Sequence, residues 1–409
     1  MATLKILHFS DAHIGAVNQG KHDAQTALPI RVLDFLKALD AIIDTAISEK
    51  VDLVLFSGDA YHHRNPSPTI QREWGRRIMR LSKAHIPTLL IVGNHDLSPS
   101  LNRAHALDSF YTLDVPNVHV VAKPEFLKPE DLYGLPLQVI ALPYLTRSAL
   151  MAQLGIGADE TRLAYEQLGQ RLRQIVQQWL DEMDENLPTI FSTHAMVQGA
   201  VYGGFESMVL GNEFTVEPSL VKNPRFDYVA LGHIHKAQNL NEGAHPPVIY
   251  SGSIERVSFG EAKEVKMFVI AHIERGKTKI EWRNLETRPF IDRYVDIKSS
   301  TDVMEQIRTE LSPRSMLRDA MVRLTIEYPR DWEALIDENA LTEFTSEAFD
   351  FRVVRKPVMQ TRLRLPEDIS IGSLTPMKLL DMYWKSNNGY DAGEAENLNK
   401  LAQMIISEE

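Results

Sequence analysis

Cysteine is absent from the 409-residue chain. Its absence excludes disulfides, thiolate nucleophiles and cysteine-ligated zinc or iron–sulfur centres, and it fits a reducing cytoplasm. Any bound metal must be held by His, Asp, Glu and Asn, a donor set that suits manganese, iron or zinc. Long apolar runs are lacking too, since no stretch reaches the roughly 18 residues of a membrane helix. The N-terminus, Met1 to His13, runs straight into an apolar strand, with no signal-peptide h-region and no small-residue cleavage site. A cytoplasmic protein without membrane attachment is the expectation. Positive charge is scarce: 44 Lys and Arg stand against 55 Asp and Glu, for a net charge of −11. That argues against a surface that coats nucleic acid broadly, but leaves room for local basic patches and for metals that offset acidic charge beside a phosphate. All 14 histidines lie at or before His272, so the last third of the chain has none.

What is present is an α/β pattern. Leu4 to Phe9 reads as a strand, Arg31 to Glu49 as a helix with one apolar face, and Val51 to Phe56 as a second strand, apolar throughout and stopped by Ser57-Gly58. Together they make a βαβ unit. A second cycle follows: Pro68 to Ala84 is a helix, Thr88 to Val92 a strand, and Ala104 to Leu113 a short helix. Val118 to Val121 and Val139 to Leu142 are expected in a more antiparallel part. Thr161 to Glu182 is a long amphipathic helix. Later strands are Thr189 to His194, Tyr228 to Gly232, Val248 to Ser251 and Val265 to Ile273. Gly199 to Gly211 reads as a glycine-rich mobile loop.

Chemistry-bearing residues follow five of these strands. They are Asp11-Ala12-His13, Gly58-Asp59, Gly93-Asn94-His95-Asp96, His194 and Gly232-His233-Ile234-His235. In α/β proteins ligands gather at the carboxyl ends of strands. In extended chain, residues i and i+2 point the same way, so Asp11 with His13 and His233 with His235 can each send two side chains into one pocket. Any one motif alone is more often an ordinary turn; five after five strands are hard to obtain by chance. Seven oxygen and imidazole donors are about what two divalent metals need if one carboxylate bridges them. Two metals about 3.5–4 Å apart can orient a water and neutralise a phosphoryl group.

The order D-x-H, G-D, G-N-H-D, H, G-H-x-H resembles the calcineurin-like metallophosphoesterases. Within them the chain looks like the SbcD-type nucleases of double-strand-break repair, over essentially its whole length. Asp59 is followed by Ala60-Tyr61-His62, where phosphoprotein phosphatases carry G-D-x-x-D-R-G, and Asp96 stands where those have Glu. The resemblance implies a four-layer β-sandwich flanked by helices (residues 1–285), a small α+β capping domain that contacts DNA (286–368), and a linker with helices for the ATPase partner (369–409). It implies one metal on Asp11, His13, Asp59 and His235 and a second on Asp59, Asn94, His194 and His233, with Mn2+ preferred and Mg2+ a substitute. His95 would stabilise the transition state or protonate the leaving oxygen, and His62 would position His95 or the substrate. The implied partners are DNA and an SbcC-type ATPase, two copies of each subunit, with a homodimer of this chain. The implied location is the nucleoid-associated cytoplasm.

Several features stay open between two readings. Arg64 and Arg72, and Arg355 with Lys356 in the basic stretch Arg352 to Arg364, are candidate DNA contacts; Arg72, Arg76, Arg77 and Arg80 equally suit a solvated helix face. Ile70, Trp74 and Ile78 suit either the core or a dimer contact. His63 reads as an exposed turn residue. Ile369 to Ser373 reads as a linker, followed by helices Thr375 to Lys385 and Glu394 to Ile406 whose apolar faces are too short to stand alone. They pack on this chain or dock on the ATPase. The expected activity is metal-dependent 3′-to-5′ exonuclease and endonuclease cleavage at DNA ends and hairpins. The rival is a phosphodiesterase or phosphatase of small substrates.

Overall fold

The apolar run Leu4–Phe9 forms β1, and its period-2 alternation decides which layer each side chain joins. Leu4 and Ile6 point to one face, Leu7 and Phe9 to the other, and all four are buried. The computed structural model describes residues 3–16, 20–98, 103–145, 161–203, 215–311, 313–358, 375–386 and 392–407. The chain divides into two compact units, Met1–Ile291 with Asp319–Met321, and Asp292–Arg318 with Val322–Glu409.

In the first unit, α1 (Ile30–Ser48), β2 (Leu53–Phe56), α2 (Pro68–Lys83), β3 (Thr88–Ile91), α3 (Asp108–Thr112) and β4 (Val118–Val121) follow β1. Next come β5 (Glu125–Leu127), β6 (Gln138–Leu142), the helix Thr161–Glu182, β7 (Thr189–His194), and the short pair β8 (Met196–Val197) and β9 (Thr215–Val216). The unit closes with β10 (Tyr228–Gly232), β11 (Gln238–Asn239), β12 (Val248–Tyr250), β13 (Met267–Glu274) and β14 (Lys277–Asn284). One six-stranded sheet has the order β14-β13-β1-β2-β3-β4, the other β11-β12-β10-β7-β6-β5. The sheets face each other across a core that includes Ile6, Leu55, Ile91, Ile190, Ala230 and Ile249. Helices α1 and α2 cover the outer face of the first sheet through Phe35, Ile42, Trp74 and Ile78. The helix Thr161–Glu182 covers the second through Leu168, Leu172, Val176 and Leu180. The result is the four-layer sandwich expected.

Two strands differ from the expectation. β4 pairs parallel with β3, and β6 pairs parallel with β7 on one side and antiparallel with the short β5 on the other. The short α3 and the long helix Thr161–Glu182 are the crossovers that parallel pairing demands. β14 has no counterpart in the sequence reading. Its KTKIEWRN interrupts every apolar residue with charge, and its pairing with β13 through the Arg275-Gly276 turn is what makes it a strand.

The second unit holds a three-stranded sheet, β15 (Phe290–Asp296), β16 (Met321–Pro329) and β17 (Asp350–Val358), in the order β15-β16-β17. β16 buries Leu324, Ile326 and Tyr328 on one face, and the helices Val303–Glu310 and Glu338–Phe344 bury Ile307 and Leu341. Near the chain's end Pro376–Ser386 and Ala392–Ser407 are helices that pack on each other, tied by Asn399 Nδ2 donating to Asp381 at 2.8 Å. The linker Ile369 to Ser373, most of the loop to Gly211, and Arg362, Arg364 and Leu374 lie outside the described residues.

Candidate metal centre

The five motifs meet at the carboxyl ends of the two sheets. β1, β2 and β3 deliver Asp11, His13, Asp59 and Asn94 from one sheet; β7 and β10 deliver His194, His233 and His235 from the other. Four of these residues have left-handed backbone: Asp11 at φ 51°, His13 at 41°, Asp59 at 64° and His233 at 97°. Such values are uncommon for residues with a Cβ and cost on the order of 1–3 kcal/mol each, so they persist only where the surroundings enforce them. Backbone bonds supply that enforcement: Asp11 N–H donates to Gly58 O at 2.9 Å and His13 N–H to Asp59 O at 3.1 Å. The glycines before the ligands are needed sterically. A Cβ on Gly58, itself at φ 100°, would strike the His194 ring, and one on Gly93 would strike the Asp59 carboxylate.

Asp59 lies between the two halves of the cluster. Its Oδ2 is 3.7 Å from His13 Nε2 and 3.4 Å from His194 Nε2. On one side His13 Nε2 is 2.9 Å from His235 Nε2 and 3.8 Å from Asp11 Oδ1. On the other, Asn94 Oδ1 is 3.0 Å from His194 Nε2 and 3.2 Å from His233 Nδ1. His194 Nδ1 donates to Ser57 O at 2.7 Å and His235 Nδ1 to Glu261 at 3.0 Å, so in both rings Nε2 is the nitrogen that faces the cluster. Imidazole nitrogens, an amide oxygen and carboxylate oxygens thus converge, which is the donor set divalent cations fit. Proton affinities show the same pull. Burial alone would lower His194, yet the charges of Asp59 and Asp11 and its bond to Asp59 raise it to about 9. Burial works to raise Asp59, but His194 and His13 hold it well below the ordinary carboxylate range. His13 is driven down, by burial first and by His235 second.

His95 stands at the edge of this group. Its N–H donates to Asp59 Oδ1 at 2.8 Å, its Nδ1 donates to His62 O at 2.6 Å, and its ring meets that of His13 edge-on at 4.9 Å. The backbone of His62, not its ring, therefore holds His95. The His62 ring stacks beside His95 at 5.8 Å and is lowered to about 4 by burial and by its neighbour His63, which is exposed. Sequence reasoning named Asp96 in the third motif without a role and missed Glu261 altogether. Asp96 accepts from three backbone donors, Asp59 N and Ala60 N at 2.9 Å and Gly93 N at 3.0 Å, and so ties the second motif to the third. Burial and the Asp59 charge push its carboxyl up to about 7. Glu261 belongs to no motif, so nothing in the local sequence marks it.

The basic candidates are largely committed elsewhere. Arg72 and Arg76 pair with Glu73, Arg77 with Glu73 and Asp40, and Arg80 with Asp40 and Asp44. Arg355 pairs with Glu333 and Glu338, while Lys356 lies over the Tyr294 ring at 5.8 Å. Arg64 is exposed and donates to Asn94 O at 3.1 Å, next to the cluster. Trp74 and Ile78 are fully buried between α2 and the first sheet, which makes them core.

A family model described as calcineurin-like phosphoesterase matches residues 4–237, the span that carries all seven donors. The chain belongs to that family. Among curated proteins this calcineurin-like phosphoesterase is 24% identical to the SbcD component of the nuclease SbcCD from Staphylococcus saprophyticus over 418 residues, 99% of each chain. It is 28% identical to the SbcD component of the nuclease SbcCD from Escherichia coli K12 over 355 residues, 83% of this chain and 82% of that one. Among solved structures it is similar to a dimetal phosphatase from Danio rerio, at 11% identity and TM-score 0.42 over 69% of this chain and 97% of that one. No helix among the described residues is long and apolar enough to cross a membrane.

Proposed function

We propose that the chain is a divalent-metal-dependent DNA nuclease that processes double-strand ends and hairpins with an SbcC-type ATPase. The observation that carries the reading is the Asp59 carboxylate facing both His13 and His194, with imidazole and amide donors arrayed on either side. Asp11, His13, Asp59 and His235 would hold one Mn2+, and Asp59, Asn94, His194 and His233 the other; Mg2+ is the hard-ligand substitute. When bound, such a pair supplies charge neutralisation and an activated water for phosphodiester hydrolysis.

The chain's own residues supply the rest. The water oxygen forms a bond to phosphorus, the bond to the leaving sugar oxygen breaks, and that oxygen takes a proton. His95 is placed to deliver it: Nδ1 is fixed by His62 O, which leaves Nε2 as the nitrogen to hand the proton over. Arg64, beside Asn94, is the basic residue best placed to meet a strand phosphate. Lys356 and Arg355 of the second unit are further candidates, Arg355 after release from Glu333 and Glu338. Both curated relatives are named as components of a nuclease complex, which supports a nucleic-acid substrate; residues 286–368 would be the capping region and the cytoplasm the site of action. The helices Pro376–Ser386 and Ala392–Ser407 would dock on the ATPase, since Leu401 and Ile405 stay exposed. Two copies of each subunit, the nuclease joined as a homodimer, complete the proposed assembly.

The test is cleavage of end-labelled duplex and hairpin DNA with Mn2+, with Mg2+ and with chelator, with and without the ATPase. Mn2+-dependent 3′-to-5′ shortening and hairpin opening are expected. Hydrolysis of small phosphate esters with DNA left intact would replace this reading by that of a small-substrate phosphodiesterase.

A further inference from the structure

His235 is held from behind differently from His194 and His13. His194 turns its Nδ1 to the backbone oxygen of Ser57, a neutral acceptor, and His13 Nδ1 is buried without a hydrogen-bond partner. His235 turns its Nδ1 to the Glu261 carboxylate at 3.0 Å. Glu261 is 3% exposed, and its two oxygens do different things. Oε1 faces His235. Oε2 takes Lys266 Nζ at 2.6 Å, Ser253 Oγ at 3.2 Å and Val257 N at 3.2 Å. Lys266 is itself 2% exposed and also reaches Glu264 at 2.8 Å and the His235 carbonyl at 3.2 Å. Lys266 Nζ and Val257 N–H, joined by the Ser253 hydroxyl whose one proton is shared with Glu255 O at 3.0 Å, fix the carboxylate in place and keep it an acceptor, so the proton between it and His235 belongs to Nδ1. Nε2 is then obliged to be the bare nitrogen, and the anion behind the ring makes it a stronger donor.

We infer that Glu261, locked by Lys266 and Ser253, is a positioning residue that fixes the tautomer and donor strength of His235 and so makes the two metal positions unequal. The position shared by Asp11, His13 and His235 has a carboxylate behind one of its imidazoles; for the position shared by Asn94, His194 and His233, the support behind His194 is a neutral carbonyl. The inference rests on the two-metal reading, and the experiment separates the two.

Wild-type, Glu261→Gln and Ser253→Ala proteins are titrated with Mn2+, with free Mn2+ read by electron paramagnetic resonance, and thermal unfolding of each metal-free protein is recorded. Wild type is expected to bind two Mn2+ in resolvable steps. Glu261→Gln, nearly isosteric, is expected to weaken one step about 10–100-fold and leave the other within roughly threefold. Ser253→Ala removes one of the bonds that hold Oε2 and is expected to weaken the same step several-fold, while folding without the buried-charge change of the first variant. A wild type that binds fewer than two Mn2+ overturns the two-metal reading and this inference with it. Two wild-type steps that Glu261→Gln leaves unchanged, or weakens equally, overturn the inference alone. If Glu261→Gln does not fold, Ser253→Ala with both steps unchanged overturns it in its place.

Discussion

At the scale of single residues, two side chains separate metal binding from proton transfer. Asp59 Oδ2 faces His13 and His194 at 3.7 and 3.4 Å, so its loss should cost both metal positions together. Asp59→Ala is expected to bring cleavage below detection and bound Mn2+ below one per chain by elemental analysis; two retained Mn2+ with cleavage intact would refute the bridging role. His95 instead meets the cluster through its backbone N–H and the edge of its ring. His95→Gln is expected to lower turnover about 10²–10⁴-fold with two Mn2+ still bound. Metal content that fell in step with turnover would make His95 a ligand. Asp96 acts on the backbone and touches no reacting group in this scheme. Asp96→Ala strips the acceptor from three buried N–H groups, each worth about 1–3 kcal/mol when left unpaired. The urea midpoint should fall by several kcal/mol equivalent even without metal; a shift under about 1 kcal/mol, smaller than one unpaired donor, would mean that water replaces the carboxylate.

At the scale of elements, α2 carries its apolar and basic residues on different faces, and they do different work. Trp74 is fully buried against Phe56 and Tyr61, with ring centroids 5.0 and 6.0 Å away. Trp74→Ala should cost about 3–5 kcal/mol in chemical denaturation. Arg76→Ala, whose side chain is 63% exposed and paired with Glu73, should cost about 0–1 kcal/mol. Equal losses at the two positions would contradict the placement of this face in the core. The spacing of Val32, Phe35, Leu39, Trp74 and Ile78 was enough to give α1 and α2, because a buried helix face repeats every three or four residues whatever it packs against. β4, β6 and β14 needed more than pattern. Strand direction is a property of the neighbour a strand finds, and the four or five residues of β4 and β6 carry no mark of it, while the eight of β14 become a strand only through β13.

At the scale of the whole molecule, the apolar faces of the last two helices decide the expected behaviour of a truncated chain. Leu401 and Ile405 are 57% and 62% exposed, which leaves apolar surface of the last helix open to a partner. The truncated chain is expected to unfold within a few degrees of the full chain, to keep Mn2+-dependent cleavage of simple duplex, and to lose co-purification with the ATPase. A sharply lower unfolding temperature would show that the helices pack on their own chain. The sequence by itself determined the alternation of strands and helices and where the seven candidate donors fall along it, because both are written locally, whereas the four-layer plan came with the family resemblance. Apolar runs make the strands, glycine permits the turns, and residues i and i+2 share a direction. Only the tertiary structure decided what stands behind those donors. Asp96 reaches back 37 residues to Asp59, Ser57 meets His194 across 137, and Glu261 backs His235 from a turn beyond β12. Such contacts depend on how two sheets are laid face to face, which the spacing within one strand does not record.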